Sequence, residues 1–372
     1  VDICLRTMAL VGEADLSFLE PRQVLSIYKK SSVSHEALGV IYAIMPWNFP
    51  LWQVIRMCIP ALIAGNTILL KHSELTPLIA QALHELFEDV YSAPILINNY
   101  ISHHMTDFIL KNPQVGGVSL TGSVEAGRSV YKIAAQNLKK AVLELGGSDP
   151  YIVLPDADLA FAAKKIASGR LVNCGQTCIS VKRIFVHEDV LDDFLTLLKA
   201  EFDRFVYGDP KDLQTDIGPL AHPRFKESLN KQIQLLLENT DAKMLYSKPH
   251  GQMEDSSFVE AQIYLVSQNL EWLKDQEFFA PVLLMTTFKT DDEAIRLANS
   301  THFALGAGIF TEDLQRADRL AHQIIAGQVV VNGLVASDLS LPFGGFKNSG
   351  LGRELGQEGY LEFTQTKVIS YA

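Results

Sequence analysis

Two residues with complementary chemistry stand out in the sequence: a cysteine, and a carboxylate 34 residues before it. Cys178 ends the segment Asn173-Cys174-Gly175-Gln176-Thr177-Cys178, which places a thiol between a glycine-containing loop and a predicted strand. Glu144 opens the segment Glu144-Leu145-Gly146-Gly147, whose glycines leave room for a substrate. A thiol nucleophile and a carboxylate base together suit acyl transfer to water. The alternative for Cys178 is a small core residue, which is the commoner role of a lone cysteine.

The elements that position these residues alternate between short apolar runs and longer helical stretches. We predict strands over 67–70, 117–120 and 141–145, separated by helices over 77–89 and 125–140. This rhythm indicates a parallel sheet covered by helices, an α/β fold. Strands over 151–154 and 183–186, with a helix over 190–205, predict a second α/β unit.

Four further segments depart from that rhythm. Residues 23–29 and 33–44 resemble a hairpin, and 367–372 resembles a final extended strand, so the chain is predicted to project a β arm. Such edge strands either join subunits or simply close their own sheet. The polar stretch 238–260 is predicted to be a surface excursion between elements.

Composition narrows the classes of function. The chain has 372 residues, 20% charged and 48% hydrophobic, with a net charge of −11. Because no basic run exceeds a pair, neither nucleic acid nor an anionic membrane is an expected partner. We predict no membrane-spanning segment, no secretory signal and no metal site, and the four cysteines are too few for a disulfide framework. A cytoplasmic location fits best.

Five motifs in order resemble the aldehyde dehydrogenase superfamily, over nearly nine-tenths of the chain from about Gly39. They are Pro46-Trp47-Asn48-Phe49-Pro50, Glu144-Leu145-Gly146-Gly147, Gly175-Gln176-Thr177-Cys178, Glu277-Phe278-Phe279-Ala280-Pro281 and Pro342-Phe343-Gly344-Gly345-Phe346-Lys347-Asn348-Ser349-Gly350. The resemblance implies a Rossmann-type NAD-binding domain (1–20 and 38–146), an α/β catalytic domain (147–348) and an oligomerisation arm (21–37 and 360–372). It also implies a homodimer or homotetramer.

The resemblance assigns catalytic roles. Cys178 would add to an aldehyde carbonyl, and the Asn48 amide with the Cys178 backbone N–H would hold the resulting oxyanion. Glu144 would activate the water that hydrolyses the thioester. A carboxylate at that position favours hydrolysis over transfer to coenzyme A.

Cofactor residues follow partly from position and partly from the resemblance. Lys71 and Glu74 follow a predicted strand, and the resemblance places them at the adenosine ribose. A carboxylate at Glu74 would repel a 2′-phosphate, so NAD is expected, with NADP possible. The backbone at Gly122 and Ser123 opens a predicted helix and could receive the pyrophosphate. The remaining cofactor-binding residues implied by the resemblance are Trp47, Leu145, Glu277 and Phe279.

Substrate preference depends on Arg56. Members of the family that oxidise succinate semialdehyde carry an arginine at the matching place, where a bidentate guanidinium binds the distal carboxylate. Ser337 could add a hydroxyl to the same carboxylate. The alternative is a general aliphatic or amino-aldehyde dehydrogenase, in which Arg56 faces solvent or an internal partner. Three departures from the family pattern are Val172 in place of a second arginine, Ala280 in place of glycine and Val124 in place of threonine.

Two features leave alternatives open. Only 38 residues precede Gly39, fewer than the family usually has, so either the natural chain begins earlier or this is a shortened protein with an incomplete cofactor site. In the second case an inactive homologue that serves as an oligomeric scaffold is the rival function. Separately, Cys174 and Cys178 are close enough in sequence for a regulatory disulfide to be a hypothesis.

Overall fold

The computed structural model describes residues 15–90, 92–251, 257–266 and 271–372. These divide into two compact units. The first comprises the chain through Leu145 together with Ser337–Gly344 and Gly350–Ala372, and the second comprises Gly146–Ala336 and Gly345–Ser349. The predicted N-terminal domain segment 1–20 lies partly outside the described residues.

The first unit is built on a six-stranded sheet in the order β15-β7-β6-β3-β4-β5, in which only the short β15 runs antiparallel. Its strands are β3 (Val40–Met45), β4 (Thr67–His72), β5 (Leu96–Asn98), β6 (Val115–Thr121), β7 (Lys140–Glu144) and β15 (Gly350–Leu351). Its helices are α1 (Trp52–Ile63), α2 (Pro77–Val90), α3 (Thr106–Lys111), α4 (Val124–Gln136) and α10 (Gly356–Glu362). Two apolar clusters, one including Ile41 and the other Val118, form its core.

A separate three-stranded antiparallel sheet belongs to the same unit. β2 (Lys30–Ala37) lies between β1 (Arg22–Val24) and β16 (Thr364–Tyr371). The hairpin expected from 23–29 and 33–44 is present in part, because β1 and β2 pair antiparallel. Residues 40–44 do not belong to it: the chain turns at Gly39, whose φ of 109° suits glycine, and enters the other sheet as β3.

The second unit contains a seven-stranded sheet in the order β10-β11-β12-β9-β8-β13-β14, parallel except for the edge strand β10. Its strands are β8 (Pro150–Val153), β9 (Arg183–His187), β10 (Lys243–Lys248), β11 (Ala261–Leu265), β12 (Val282–Phe288), β13 (Gly306–Phe310) and β14 (Gln328–Val331). Its helices are α5 (Leu159–Leu171), α6 (Leu191–Arg204), α7 (Pro223–Asn239), α8 (Asp291–Ala298) and α9 (Leu314–Ala321).

The stretch 238–260 is a surface excursion only in part, and residues 252–256 of it lie outside the described residues. Lys243–Lys248 forms β10, which pairs antiparallel with β11. Its polar composition hid the strand, because an edge strand needs little apolar surface. Within the described ranges, no helix is long and apolar enough to cross a membrane.

Candidate active site

The segment before Cys178 is a left-handed turn. Asn173 and Cys174 have φ values of 52° and 53°, and Gly175 continues at 71°. Two consecutive non-glycine residues in this region are strained, and such strain commonly marks functional sites. The turn leaves Cys178 partly exposed while Cys174 is 3% exposed.

The two cysteines therefore differ in reactivity. Burial raises the pKa of the Cys174 thiol to about 12, so it is protonated at neutral pH and a poor nucleophile. Neither cysteine is in a disulfide. The regulatory Cys174–Cys178 disulfide stays a prediction.

Arg170, which the sequence analysis missed, anchors this turn. Its guanidinium is fully buried and donates to the carbonyls of Gly175 (2.8 Å), Val181 (3.2 Å) and Phe278 (3.3 Å), and also to Ala280. Burial lowers its pKa to about 9, which keeps it charged at neutral pH. The available signal was an arginine near the end of an otherwise apolar helical stretch, eight residues before Cys178.

Lys182 brings three predicted site residues together in the second unit. Its ammonium is 1% exposed, donates to the Cys178 carbonyl at 2.6 Å and pairs with the Glu277 carboxylate at 2.9 Å. It also lies 5.9 Å from the centroid of the Phe279 ring. The sequence signal, a charged residue entering a predicted buried strand, was overlooked.

The Glu277 carboxylate sits against the glycines that follow Glu144. Its Oε1 accepts a hydrogen bond from the Gly147 N–H at 3.1 Å. A Cβ at Gly146 would lie 2.2 Å from Oε2, so any larger residue would collide with the carboxylate. Gly146 therefore makes room for a side chain of the protein itself.

Glu144 ends β7 in the first unit and is 2% exposed. Among the described residues, no hydrogen-bond donor reaches either of its carboxylate oxygens. Burial, followed by the charge of Glu354, raises the pKa of Glu144 well above its usual range, and Arg56 and Arg353 partly oppose the shift. A raised pKa makes the carboxylate a stronger base, which suits general-base catalysis.

Arg56 lies in α1, also in the first unit, and is 2% exposed. It forms an ion pair with Glu354, donates to the Ser337 hydroxyl at 3.3 Å and stacks 4.5 Å from the Phe343 ring centroid. The structure thus brings Arg56 and Ser337 together and also gives Arg56 an internal partner. Residues 337–344 group with the first unit, and the catalytic domain expected over 147–348 stays a prediction.

The other predicted residues of the first unit share one edge of its sheet. Because β3, β4, β6 and β7 are parallel, their carboxyl ends lie side by side. From these ends project Trp47 and Asn48 after β3, Lys71 and Glu74 at β4, Gly122 and Ser123 after β6, and Leu145 after β7. In α/β proteins, nucleotides bind at this edge.

Local features of that edge fit a nucleotide. Ser123 caps α4, its hydroxyl accepting from the Ala126 N–H at 3.2 Å, so the first turn of the helix can receive an anion. The hydroxyl of Thr121 is buried with no hydrogen-bond partner within the described residues. Glu74 is exposed, as a residue that binds a ribose needs to be. Leu145 packs against Gly127 of α4, where a Cβ would lie 2.5 Å from the leucine side chain.

The predicted site residues are thus divided between the units. Asn48, Glu144, Arg56, Ser337 and the strand-end cofactor residues belong to the first unit. Cys178, Glu277 and Phe279 belong to the second.

Comparison with known proteins gives consistent matches. A model of the aldehyde dehydrogenase family matches residues 4–369. A Deinococcus radiodurans protein named succinate-semialdehyde dehydrogenase [NADP(+)] is 41% identical over 360 residues, covering 96% of this chain and 75% of that protein. A Synechocystis protein named probable succinate-semialdehyde dehydrogenase [NADP(+)] is 38% identical, covering 99% of this chain and 81% of that protein.

Solved structures agree. A succinic semialdehyde dehydrogenase from Streptococcus pyogenes, in complex with NADP+, has a TM-score of 0.93 and 34% identity, covering 99% of this chain and 81% of that chain. A Mycobacterium tuberculosis aldehyde dehydrogenase complexed with NAD+ has a TM-score of 0.89 and 32% identity, covering 95% of this chain and 73% of that chain. Both confirm the predicted α/β fold.

Proposed function

The chain belongs to the aldehyde dehydrogenase family, and we propose that it oxidises succinate semialdehyde to succinate with a nicotinamide dinucleotide. The choice of substrate rests on one observation: the buried Arg56 guanidinium is hydrogen-bonded to the Ser337 hydroxyl. A planar guanidinium beside a hydroxyl is a suitable receptor for a carboxylate. The names of the Deinococcus and Synechocystis relatives support the same substrate.

The catalytic residues have distinct tasks in this proposal. The Cys178 thiolate adds to the aldehyde carbon, and donors from the Asn48 amide and the Cys178 backbone N–H stabilise the oxyanion. A bound nicotinamide, held by Glu277 and Phe279, would supply the acceptor for the hydride of that carbon. Glu144 then takes a proton from the water that attacks the thioester, and the Cys178 thiolate leaves.

Two groups of residues would hold the dinucleotide. Lys71 and Glu74 are assigned to the adenosine ribose, and the start of α4 at Ser123 to the pyrophosphate. Glu277 and Phe279 are assigned to the nicotinamide end. Glu74 favours NAD+ because a carboxylate repels a 2′-phosphate, whereas the relatives' names support NADP+. We expect Glu74→Gln to raise the kcat/KM for NADP+ relative to that for NAD+.

A general aldehyde dehydrogenase is the second candidate, because Arg56 already has an internal partner in Glu354. A substrate carboxylate would have to share Arg56 with that glutamate. If the ion pair is purely structural, the carboxylate of succinate semialdehyde gains nothing from Arg56.

The deciding experiment compares succinate semialdehyde with butanal, which has the same chain length and no carboxylate, using NAD+ and NADP+ in parallel. A Cys178→Ala variant is the control for background. We expect kcat/KM for the semialdehyde to exceed that for butanal by at least about tenfold, the gain of one charge-assisted contact. Equal values would favour the general enzyme.

A double variant isolates Arg56 from its structural partner. Arg56→Met in a Glu354→Gln background removes the guanidinium without leaving a buried, unpaired carboxylate. Compared with Glu354→Gln alone, it should raise the KM for succinate semialdehyde and leave the KM for butanal unchanged. An unchanged KM for both aldehydes would contradict a substrate role for Arg56.

We also propose that the chain forms a homodimer or homotetramer through β16. This strand is the outer edge of the three-stranded sheet, and Val368, Ile369 and Tyr371 on it are exposed. An apolar edge strand of this kind is suited to pairing with a second copy. Light scattering should give a multiple of 41.2 kDa, and a monomer at micromolar concentration would contradict the proposal.

A further inference from the structure

Lys182 is a fully buried cation in the second unit that none of the assigned catalytic roles uses. A buried ammonium is destabilising unless it is paired and hydrogen-bonded. Its partners are specific: the Cys178 carbonyl oxygen at 2.6 Å and Glu277 Oε1 at 2.9 Å. One side chain therefore contacts both the main chain of the nucleophile and the carboxylate assigned to the nicotinamide end.

The contact with Cys178 restrains the nucleophile itself. Because the peptide unit is planar, holding the Cys178 carbonyl fixes the peptide that follows the cysteine and limits rotation about ψ. This restrains the direction of the Cα–Cβ bond and therefore of Sγ. On the other side of Cys178, the left-handed turn and the Arg170 contact with the Gly175 carbonyl restrain the preceding backbone.

The contact with Glu277 places the second group. Oε1 is shared by the Lys182 ammonium and the Gly147 N–H, and Oε2 lies where a Cβ of Gly146 would collide with it. The carboxylate thus contacts the Lys182 ammonium, the Gly147 N–H and the Gly146 backbone. Without Lys182 it would lose its ion-pair partner.

We propose that Lys182 is a positioning residue that couples the orientation of Cys178 to the placement of Glu277. This inference rests on the proposed function for the roles of Cys178 and Glu277. A ligand that attracts the Glu277 carboxylate would shift the Lys182 ammonium, and that shift would change the hydrogen bond between Lys182 and the Cys178 carbonyl. The nucleophile is thereby made sensitive to whether the cofactor end of the site is filled.

The test measures the rate at which iodoacetamide alkylates Cys178, followed by mass spectrometry, because this readout needs no turnover. Lys182→Met and Glu277→Gln are compared singly and together with the unsubstituted protein. We expect each single variant to change the alkylation rate by at least about threefold. The alkylation rate of the double variant should equal that of Lys182→Met. Glu277 acts on Cys178 through Lys182, so its substitution adds nothing once Lys182 is gone.

Arg183→Met is the matched control. Arg183 is the adjacent buried cation, and its guanidinium donates to the carbonyls of Ser148, Leu297 and Ala298. A general loss of stability would affect both variants, whereas the proposal requires the change in alkylation to be larger in Lys182→Met. Equal rates in the two would overturn it.

Glu277→Gln keeps the proposal testable if Lys182→Met fails to fold. With Lys182 in place, this substitution should alter Cys178 alkylation, and an unaltered rate would refute the coupling. If the protein turns over no aldehyde yet the alkylation rates remain coupled, the proposed function fails while the positioning role stands.

Discussion

Replacing Glu354 with glutamine should move the pH dependence of hydrolysis to lower pH. Glu354 is 1% exposed, and its charge is one of the two causes that raise the pKa of Glu144. Glutamine has almost the same shape and keeps an oxygen that accepts from Arg56. The substitution removes the charge that disfavours ionised Glu144 and leaves the opposing cations, Arg56 and Arg353, in place.

With the like charge removed and the two arginines in place, the pKa of Glu144 should fall. A nearby like charge raises a carboxyl pKa by about one unit or more, and each unit corresponds to about 1.4 kcal/mol. Because the base must be deprotonated, the rising acidic limb of kcat should shift by about one unit toward lower pH.

The assay is kcat as a function of pH, with a rapid-mixing measurement of the initial burst of reduced cofactor to confirm that hydrolysis limits turnover. Glu358→Gln, four residues along and exposed, is the control and should leave the limb in place. A limb that stays fixed in Glu354→Gln, or moves to higher pH, would refute the electrostatic account of Glu144.

Three other predictions concern stability and reactivity. Arg56→Met alone should lower the free energy of unfolding by about 3–5 kcal/mol, because it leaves Glu354 charged and buried. The double variant Arg56→Met with Glu354→Gln should recover most of that loss. Urea denaturation measures the free energy of unfolding of both variants. Burial raises the pKa of Asp149 to about 7 from 3.8, so the stability it contributes is complete below about pH 4 and is lost as the pH rises through 7. The stability of Asp149→Asn relative to the unsubstituted protein should therefore rise by up to about 3 kcal/mol between pH 5 and pH 8, and a difference that does not depend on pH would contradict this. Iodoacetamide at neutral pH should label Cys178 and spare Cys174, and peptide mapping that finds equal labelling would show that burial does not protect Cys174.

Local sequence signals predicted most of the elements that carry the site. The strand expected over 67–70 is part of β4, and the helix that Ser123 caps begins at Val124. Both depend on neighbours a few residues away, such as an apolar run or a capping hydroxyl. The strand-end residues of the first unit follow directly, because parallel strands align their carboxyl ends.

The buried charges could not be predicted in the same way. Arg56 and Glu354 are 298 residues apart in sequence, and nothing near either residue indicates the partner. Lys182 and Arg170 resemble ordinary surface cations until the carbonyls that they contact are known. A charge in the core is specified by tertiary packing, so a motif can identify the nucleophile and the base but not the groups that tune them.

The arrangement of the chain also sets an order for biosynthesis. The second unit is formed almost entirely by one continuous stretch, Gly146–Ala336. The first unit remains without β15 and β16 until that stretch has been translated. Lys367 pairs with Glu36 across 331 residues, so the β2–β16 pairing closes a very long loop and is among the last long-range contacts that a nascent chain can make. From the time β2 leaves the ribosome until β16 is made, one edge of β2 stays unpaired. An unpaired strand edge of this kind can pair with the wrong strand.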